Sequence, residues 1–181
     1  MEAQKLIALD SKAFASDSDL MVRVLKPYKE NCKYLKSADV FSEGDPLDGG
    51  RVIGRCEFSI PESCYIDDTG HFNSVEFNIC YNQMMYYVVA KSVKERLMSS
   101  FVSWTMDDYW QKQLPDIFIV NFESSFKKSM KSHRFFGVIE FNKVRKRSGL
   151  LFINTACQYW DQNNGSCSGK VNLAILNTSQ Q

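Results

Sequence analysis

The hydrophobic pattern along the chain changes period several times, and each change marks an element. Arg51–Ile60 alternates, with Val52, Cys56, Phe58 and Ile60 on one side and Arg51, Arg55, Glu57 and Ser59 on the other. That period of two predicts a half-buried antiparallel strand, ended by Pro61. A turn follows over Glu62–Gly70, closing on Asp67-Asp68-Thr69-Gly70. The period then becomes helical. Val75, Ile79, Asn82, Tyr86, Val89 and Val93 recur at steps of four and three, on one face of a long helix. Asn73 followed by Glu76 makes a capping box, so the helix starts there. The seam is apolar except for Asn82, which is expected to be buried within it.

The remaining pattern is shorter. Residues 17–27 read as a small helix with an Asp start and Pro27 as its stop, burying Leu20, Val24 and Met21. Thr105–Leu114 reads as a second small helix. Strands are expected over Lys33–Phe41, Asp116–Ser124, Phe135–Val144, Leu150–Trp160 and Lys170–Asn177, with loops at Ser42–Gly50 and Asp161–Gly169. In the last loop, Asn164-Gly165 and Ser168-Gly169 carry turn chemistry. Consecutive strands favour hairpins over crossovers, so the class is α+β. A curved antiparallel sheet wrapped around the long helix, the hotdog arrangement, is one of the options that fit.

Composition narrows this further. A chain of 181 residues with 44% apolar content is expected to form one domain over 1–181. A formal net charge of +1 and the absence of a basic stripe with interleaved aromatics give no case for nucleic acid. No apolar run is long enough to span a membrane, and the N-terminal stretch lacks a signal-peptide pattern. The six cysteines include no C-x-x-C pair, and there are only two histidines, so zinc spacing is absent. Free thiols in a reducing cytoplasm are the expectation.

Three strings carry a resemblance: VRVLKPY near the start, YIDDTGHFNSVEFNICYNQ, and WDQNNGSCSGKVNLAILN. In these the chain is similar to the FcoT-like acyl thioesterase family, over roughly Val22–Asn177. The resemblance implies a hotdog fold acting on acyl thioesters of coenzyme A or acyl carrier protein, with thioester hydrolysis as the first expectation. Some members resemble enzymes of isonitrile lipopeptide pathways that add glycine across the double bond of an enoyl chain on acyl carrier protein. The family's polar site positions fall here on Tyr28, Tyr65, Asn73 and Asn82. A homodimer or a multiple of dimers is implied. No cofactor or metal is expected beyond the coenzyme A or phosphopantetheine that belongs to the substrate.

The residues themselves leave alternatives open. A helix N-terminus offers aimed N–H groups and partial positive charge to a thioester oxygen. Asn73 would hold that geometry, or is simply a cap. Asn82 either faces a cavity or is paired in the core. Tyr28 and Tyr65 could donate to the carbonyl or the attacking group, and otherwise are packing residues. His71 is a candidate general base or a helix-start packing residue. Glu76 is a base or, from its spacing, half of the capping box. No G-x-S-x-G elbow is present, and Cys64 and Cys80 are nucleophiles only in principle. Two basic clusters, Lys127, Lys128, Lys131, His133 and Arg134, and Lys143, Arg145, Lys146 and Arg147, could grip phosphates or a carrier protein, or be solvated strand ends. A hydroxyacyl dehydratase reading draws on the G-H-F string but finds Asn82-Gln83 where a carboxylate belongs. A non-catalytic acyl-binding protein is the remaining alternative.

Overall fold

The computed structural model describes residue 8, residues 11–67 and residues 69–176. Asp68 of the predicted turn, Asn177 at the end of the last predicted strand, and the rest of the N-terminal stretch lie outside the described residues. The elements run β1 (Lys12–Phe14), α1 (Ser18–Val24), β2 (Leu35–Glu43), β3 (Arg51–Phe58), α2 (Ser74–Glu95), α3 (Met106–Lys112), β4 (Ile117–Lys128), β5 (Phe135–Arg147), β6 (Leu150–Trp160) and β7 (Ser166–Leu176). All seven strands form one sheet in the order β1-β2-β3-β5-β6-β7-β4. Every neighbouring pair is antiparallel. The long helix lies against this sheet. This is the α+β hotdog arrangement that the sequence allowed.

Close approach between helix and sheet depends on missing side chains. A Cβ on Gly54 of β3 would stand 2.5 Å from a Val88 methyl of α2. One on Gly169 of β7 would meet the Phe77 ring at 2.8 Å. Gly169 therefore belongs inside β7 rather than in the loop predicted over Asp161–Gly169, since a glycine there lets the Phe77 ring lie on the strand. Phe77, Tyr81, Met84 and Val88 are fully buried on the sheet side of α2. Tyr81 fixes the helix laterally, its hydroxyl 2.8 Å from Thr155 Oγ1, which donates in turn to the Val171 carbonyl.

This corrects the predicted burial of the Val75 seam. Val75 is 43% exposed, Ile79, Asn82 and Tyr86 are half-buried, and only Val89 and Val93 are buried. The helix is apolar on more than one side, and the sheet covers the side bearing Phe77 and Tyr81. The first two turns of the predicted seam face outward.

The small helices keep their places with shorter bounds. α1 is capped by Asp17, whose Oδ1 accepts from Leu20 N–H at 3.0 Å, and it ends before Pro27. Asp17 also pairs with Lys94 of α2, tying α1 to the long helix. The capping box of α3 is complete between Thr105 and Asp108. β4 runs four residues past its predicted end and forms one edge of the sheet. β1, too short to show a period, was not expected.

Candidate active site

The start of α2 is built as its sequence demands. Asn73 is extended (φ −117°, ψ 178°), and its Oδ1 accepts from Val75 N–H at 3.0 Å and Glu76 N–H at 3.1 Å. Glu76 answers through Oε2, which accepts from Asn73 N–H at 3.2 Å. Glu76 is buried, so its carboxylate works as the capping-box partner rather than as a base open to substrate. Gly70, in the left-handed region at φ 75°, turns the chain just ahead of the helix.

Tyr65 joins this cap. Its hydroxyl donates to Asn73 Oδ1 at 2.9 Å, so that one oxygen accepts three hydrogen bonds. Two of the donors are backbone N–H groups, which fixes which end of the amide is oxygen. The opposite end, Asn73 Nδ2, is buried and has no hydrogen-bond partner among the described residues. Leaving such a donor unmet costs roughly 1–3 kcal/mol. The result is a rigidly held amide donor at the positive end of a 22-residue helix, beside an exposed phenol.

Of the other two positions, Asn82 lies further along α2 and Tyr28 lies in the stretch between α1 and β2. Asn82 is half-buried and donates through Nδ2 to Asn78 Oδ1 at 3.1 Å, one turn back on the outward stripe. Tyr28 packs half-buried against the core, close to Tyr86 and Cys80. Burial first, and then those two neighbours, hold its hydroxyl well above the ordinary tyrosine range, so it remains a neutral donor. Nine residues of helix separate Asn73 from Asn82, about 14 Å along the axis at the usual rise. Within one chain the structure thus brings Tyr65 together with Asn73 at the helix start, and leaves Asn82 about two and a half turns away, with Tyr28 near Tyr86 and Cys80.

The remaining candidates separate clearly. His71 is exposed, with Nδ1 3.0 Å from the Thr69 carbonyl, a turn contact beside the helix start. Cys80 is fully buried and its thiol is pushed well up by that burial, which removes it as a nucleophile. Cys64 is half-buried, and its backbone N–H donates to the Tyr34 hydroxyl at 2.9 Å. Gln83 is buried and structural. Its Oε1 accepts from Tyr34 and Leu35 N–H, both at 2.9 Å, and its Nε2 donates to the Cys32 carbonyl at 2.5 Å. It therefore does not stand in for a dehydratase carboxylate. Two neighbours of these positions were not expected at the site: Asn78, and Tyr86, which the sequence placed only on the helical seam. Their spacing of four residues on either side of Asn82 was the available signal.

The profile of the FcoT-like thioesterase domain matches residues 23–175. This chain belongs to that family. A Streptomyces coeruleorubidus protein named (2E)-enoyl-ACP glycyltransferase is 53% identical over 167 residues, covering 90% of this chain and 98% of its own. A Mycobacterium marinum protein of the same name is 35% identical, covering 88% of this chain and 86% of its own. Among solved structures, a mutant thioesterase from Pseudomonas aeruginosa, PA1618, matches with a TM-score of 0.42 and 8% identity over 77% of this chain and 82% of its own. That likeness is too distant to add to the fold, which rests on the sheet order and the helix.

No helix among the described residues is long and apolar enough to cross a membrane. A groove of about 430 Å³ lies on the sheet face away from α2, lined by Glu123, Val138, Glu140, Gln158 and Lys170 among others, and none of the four site residues lines it.

Proposed function

We propose that this protein adds glycine to a (2E)-enoyl chain held as a thioester on acyl carrier protein. The relative at 53% identity, which spans nearly all of both chains and carries that name, is the observation that favours this reading over plain hydrolysis. The chemistry suits the helix start. The glycine nitrogen attacks C3, the C2–C3 π electrons move toward the thioester carbonyl, and the resulting enolate oxygen takes the negative charge. C2 then gains a proton and the amine loses one, with the thioester bond intact. Asn73 Nδ2 is the donor assigned to that oxygen, held in place by the cap and by Tyr65. One such donor contributes about 3–4 kcal/mol to barrier lowering in comparable oxyanion sites. Tyr28 and Asn82, neutral hydrogen-bonding groups, are assigned to the incoming amine. A cytoplasmic setting, in which the described cysteines stay reduced, suits a carrier-bound substrate.

Hydrolysis of the same thioester is the second reading, favoured by the family's description as a thioesterase domain. The same donor would then face a tetrahedral oxyanion. Incubating enoyl-carrier substrate with and without glycine, and weighing the carrier-bound product, separates the two. A mass gain equal to one glycine, dependent on glycine, is expected. Thiol release that ignores glycine would overturn the addition in favour of hydrolysis.

Since Asn73 and Asn82 of one chain lie about 14 Å apart along the axis, both can serve one enoyl group only if two copies share a site. A two-fold axis passing close to Asn78 sets Asn82 of one copy level, along the helix axes, with Asn73 of the other. The partly exposed apolar pair Val75 and Ile79 flanks that axis. We therefore assign the working form to a dimer with its α2 stripes facing.

A further inference from the structure

Of the two basic clusters, we propose that Lys127, Lys128 and Lys131 form the surface on which the acidic carrier protein docks, and that the Lys143–Arg147 cluster has no part in it. This rests on the reading above that the substrate rides on a carrier. The argument starts with the connection between β4 and β5. Met130 C=O accepts from Phe72 N–H at 2.9 Å, and Ser132 C=O accepts from Ile60 N–H at 3.0 Å. Ile60 and Phe72 bound the loop that carries Tyr65 and His71. The connection therefore runs along the foot of that loop, with its backbone about 5 Å from Phe72, the residue before Asn73.

The connection is also stiff. Asp161 is buried, and its carboxylate accepts from the backbone N–H groups of Lys131 at 2.7 Å and of Asn163 and Gly165 at 2.8 Å. A Cβ on Gly165 would stand 2.5 Å from the Ser129 carbonyl, so the β6–β7 turn presses directly on it. Met130 is buried beneath, and Lys127, Lys128 and Lys131 are exposed above. None of the three lysines has an ion-pair partner among the described residues, whereas Arg134 is engaged by Glu57 at 2.6 Å. Asp161 is the neighbouring acid and its charge is felt by Lys128, but its oxygens are occupied by three backbone donors and it makes no close ion pair with the lysine. Exposed cations on a fixed backbone, next to the helix start, suit a partner whose own acidic surface and phosphodiester-linked arm must bring a thioester to Asn73.

The second cluster is placed differently. Arg145, Lys146 and Arg147 sit with Leu47, Phe152 and Asn172, where β5 and β6 meet the loop after β2. Their partners Phe152, Leu151 and Leu150 lie at the opposite end of β6 from Trp160, which pairs with Phe136 next to the basic connection. A carrier held there would face the far end of the sheet from the cap.

The test uses the full chain with Lys127→Glu, Lys128→Glu and Lys131→Glu combined, against a control with Lys143→Glu, Arg145→Glu and Lys146→Glu. Carrier binding is titrated directly at low and moderate salt, and turnover is followed with the same enoyl group on carrier, on coenzyme A and on free pantetheine. The first variant is expected to weaken carrier binding roughly tenfold or more, with wild-type binding falling as salt rises, while pantetheine thioester turnover stays within about twofold and thermal melting is unchanged. The control is expected to behave as wild type. Unchanged carrier binding, an equal loss in the control, or an equal loss with coenzyme A would overturn the proposal; the last would make the lysines a phosphate grip only. Wild type that binds carrier through these lysines yet turns nothing over would sink the catalytic reading and leave the docking surface standing.

Discussion

At the scale of single residues, Asn73 carries two duties that a substitution can separate. Its oxygen caps α2 and its nitrogen is the unmet donor. Asn73→Asp keeps an excellent cap, with a charge that suits the helix N-terminus, but has no N–H to give. Melting within about 1 kcal/mol of wild type, together with a fall in kcat of about a hundredfold or more, is the expected outcome. Asn73→Ala should lose the same activity and about 1 kcal/mol of stability as well. Full activity in the Asp variant would return Asn73 to the role of a cap alone. Tyr65→Phe removes a hydroxyl from an exposed side chain whose oxygen partner keeps two backbone donors. Its expected cost is in kcat rather than in stability, and thermal melting beside steady-state rates reads both. The capping role was legible beforehand because it is local, needing only a polar residue three positions before a glutamate. The unmet nitrogen was not, since it depends on what the surrounding chain covers without supplying an acceptor.

At the scale of elements, the junction of α2 with β2 depends on one buried amide. Gln83 satisfies Tyr34 N–H, Leu35 N–H and the Cys32 carbonyl together. Gln83→Leu keeps much of the volume and orphans these groups. At about 1–3 kcal/mol for a buried group left unmet, the loss is expected near 3 kcal/mol, or roughly 6–12 °C in Tm for a chain of this size. Thermal unfolding checks it, and a shift under about 2 °C would mean that water replaces the amide. Asp161 makes the corresponding anchor under the β4–β5 connection. Burial pushes its carboxyl up, but the Lys131, Gly165 and Asn163 N–H groups, helped by the nearby Lys128 charge, outweigh this and hold it below the ordinary aspartate range. A depressed folded pKa contributes stability above the unfolded value that is lost as pH falls through the folded one. Wild type should therefore lose stability below about pH 4 more steeply than Asp161→Asn, which unfolding midpoints from pH 6 to 3 will compare. The strand next to β2, Arg51–Phe58, was readable from alternation. The start of β7 was not, because Ser168-Gly169 is turn chemistry locally and becomes strand only where Phe77 needs the space.

At the scale of the whole molecule, the feature hardest to see in the sequence was which face of α2 the sheet takes. Val75, Ile79 and Asn82 have a perfectly good helical period, and so do Phe77, Tyr81, Met84 and Val88. Periodicity names a face without naming its partner, and here glycines on β3 and β7 decided in favour of the second. What remains outward is the stripe on which Asn82 lies. If two copies meet there, as assigned, each site takes Asn73 from one chain and Asn82 from the other. That arrangement has a consequence that no single-chain site shares. Asn73→Asp and Asn82→Ala, each inactive alone, are co-expressed under separate tags, and the mixed dimers are isolated through both tags. One of the two sites in a mixed dimer then holds both substitutions, and the other holds neither. The isolated mixed dimer should recover about half the wild-type kcat, and an unsorted statistical mixture about a quarter. A site contained within one chain would carry a lesion in every copy and recover nothing, so absence of activity in the sorted mixed dimer removes the shared site while leaving Asn73 and Tyr65 where they are.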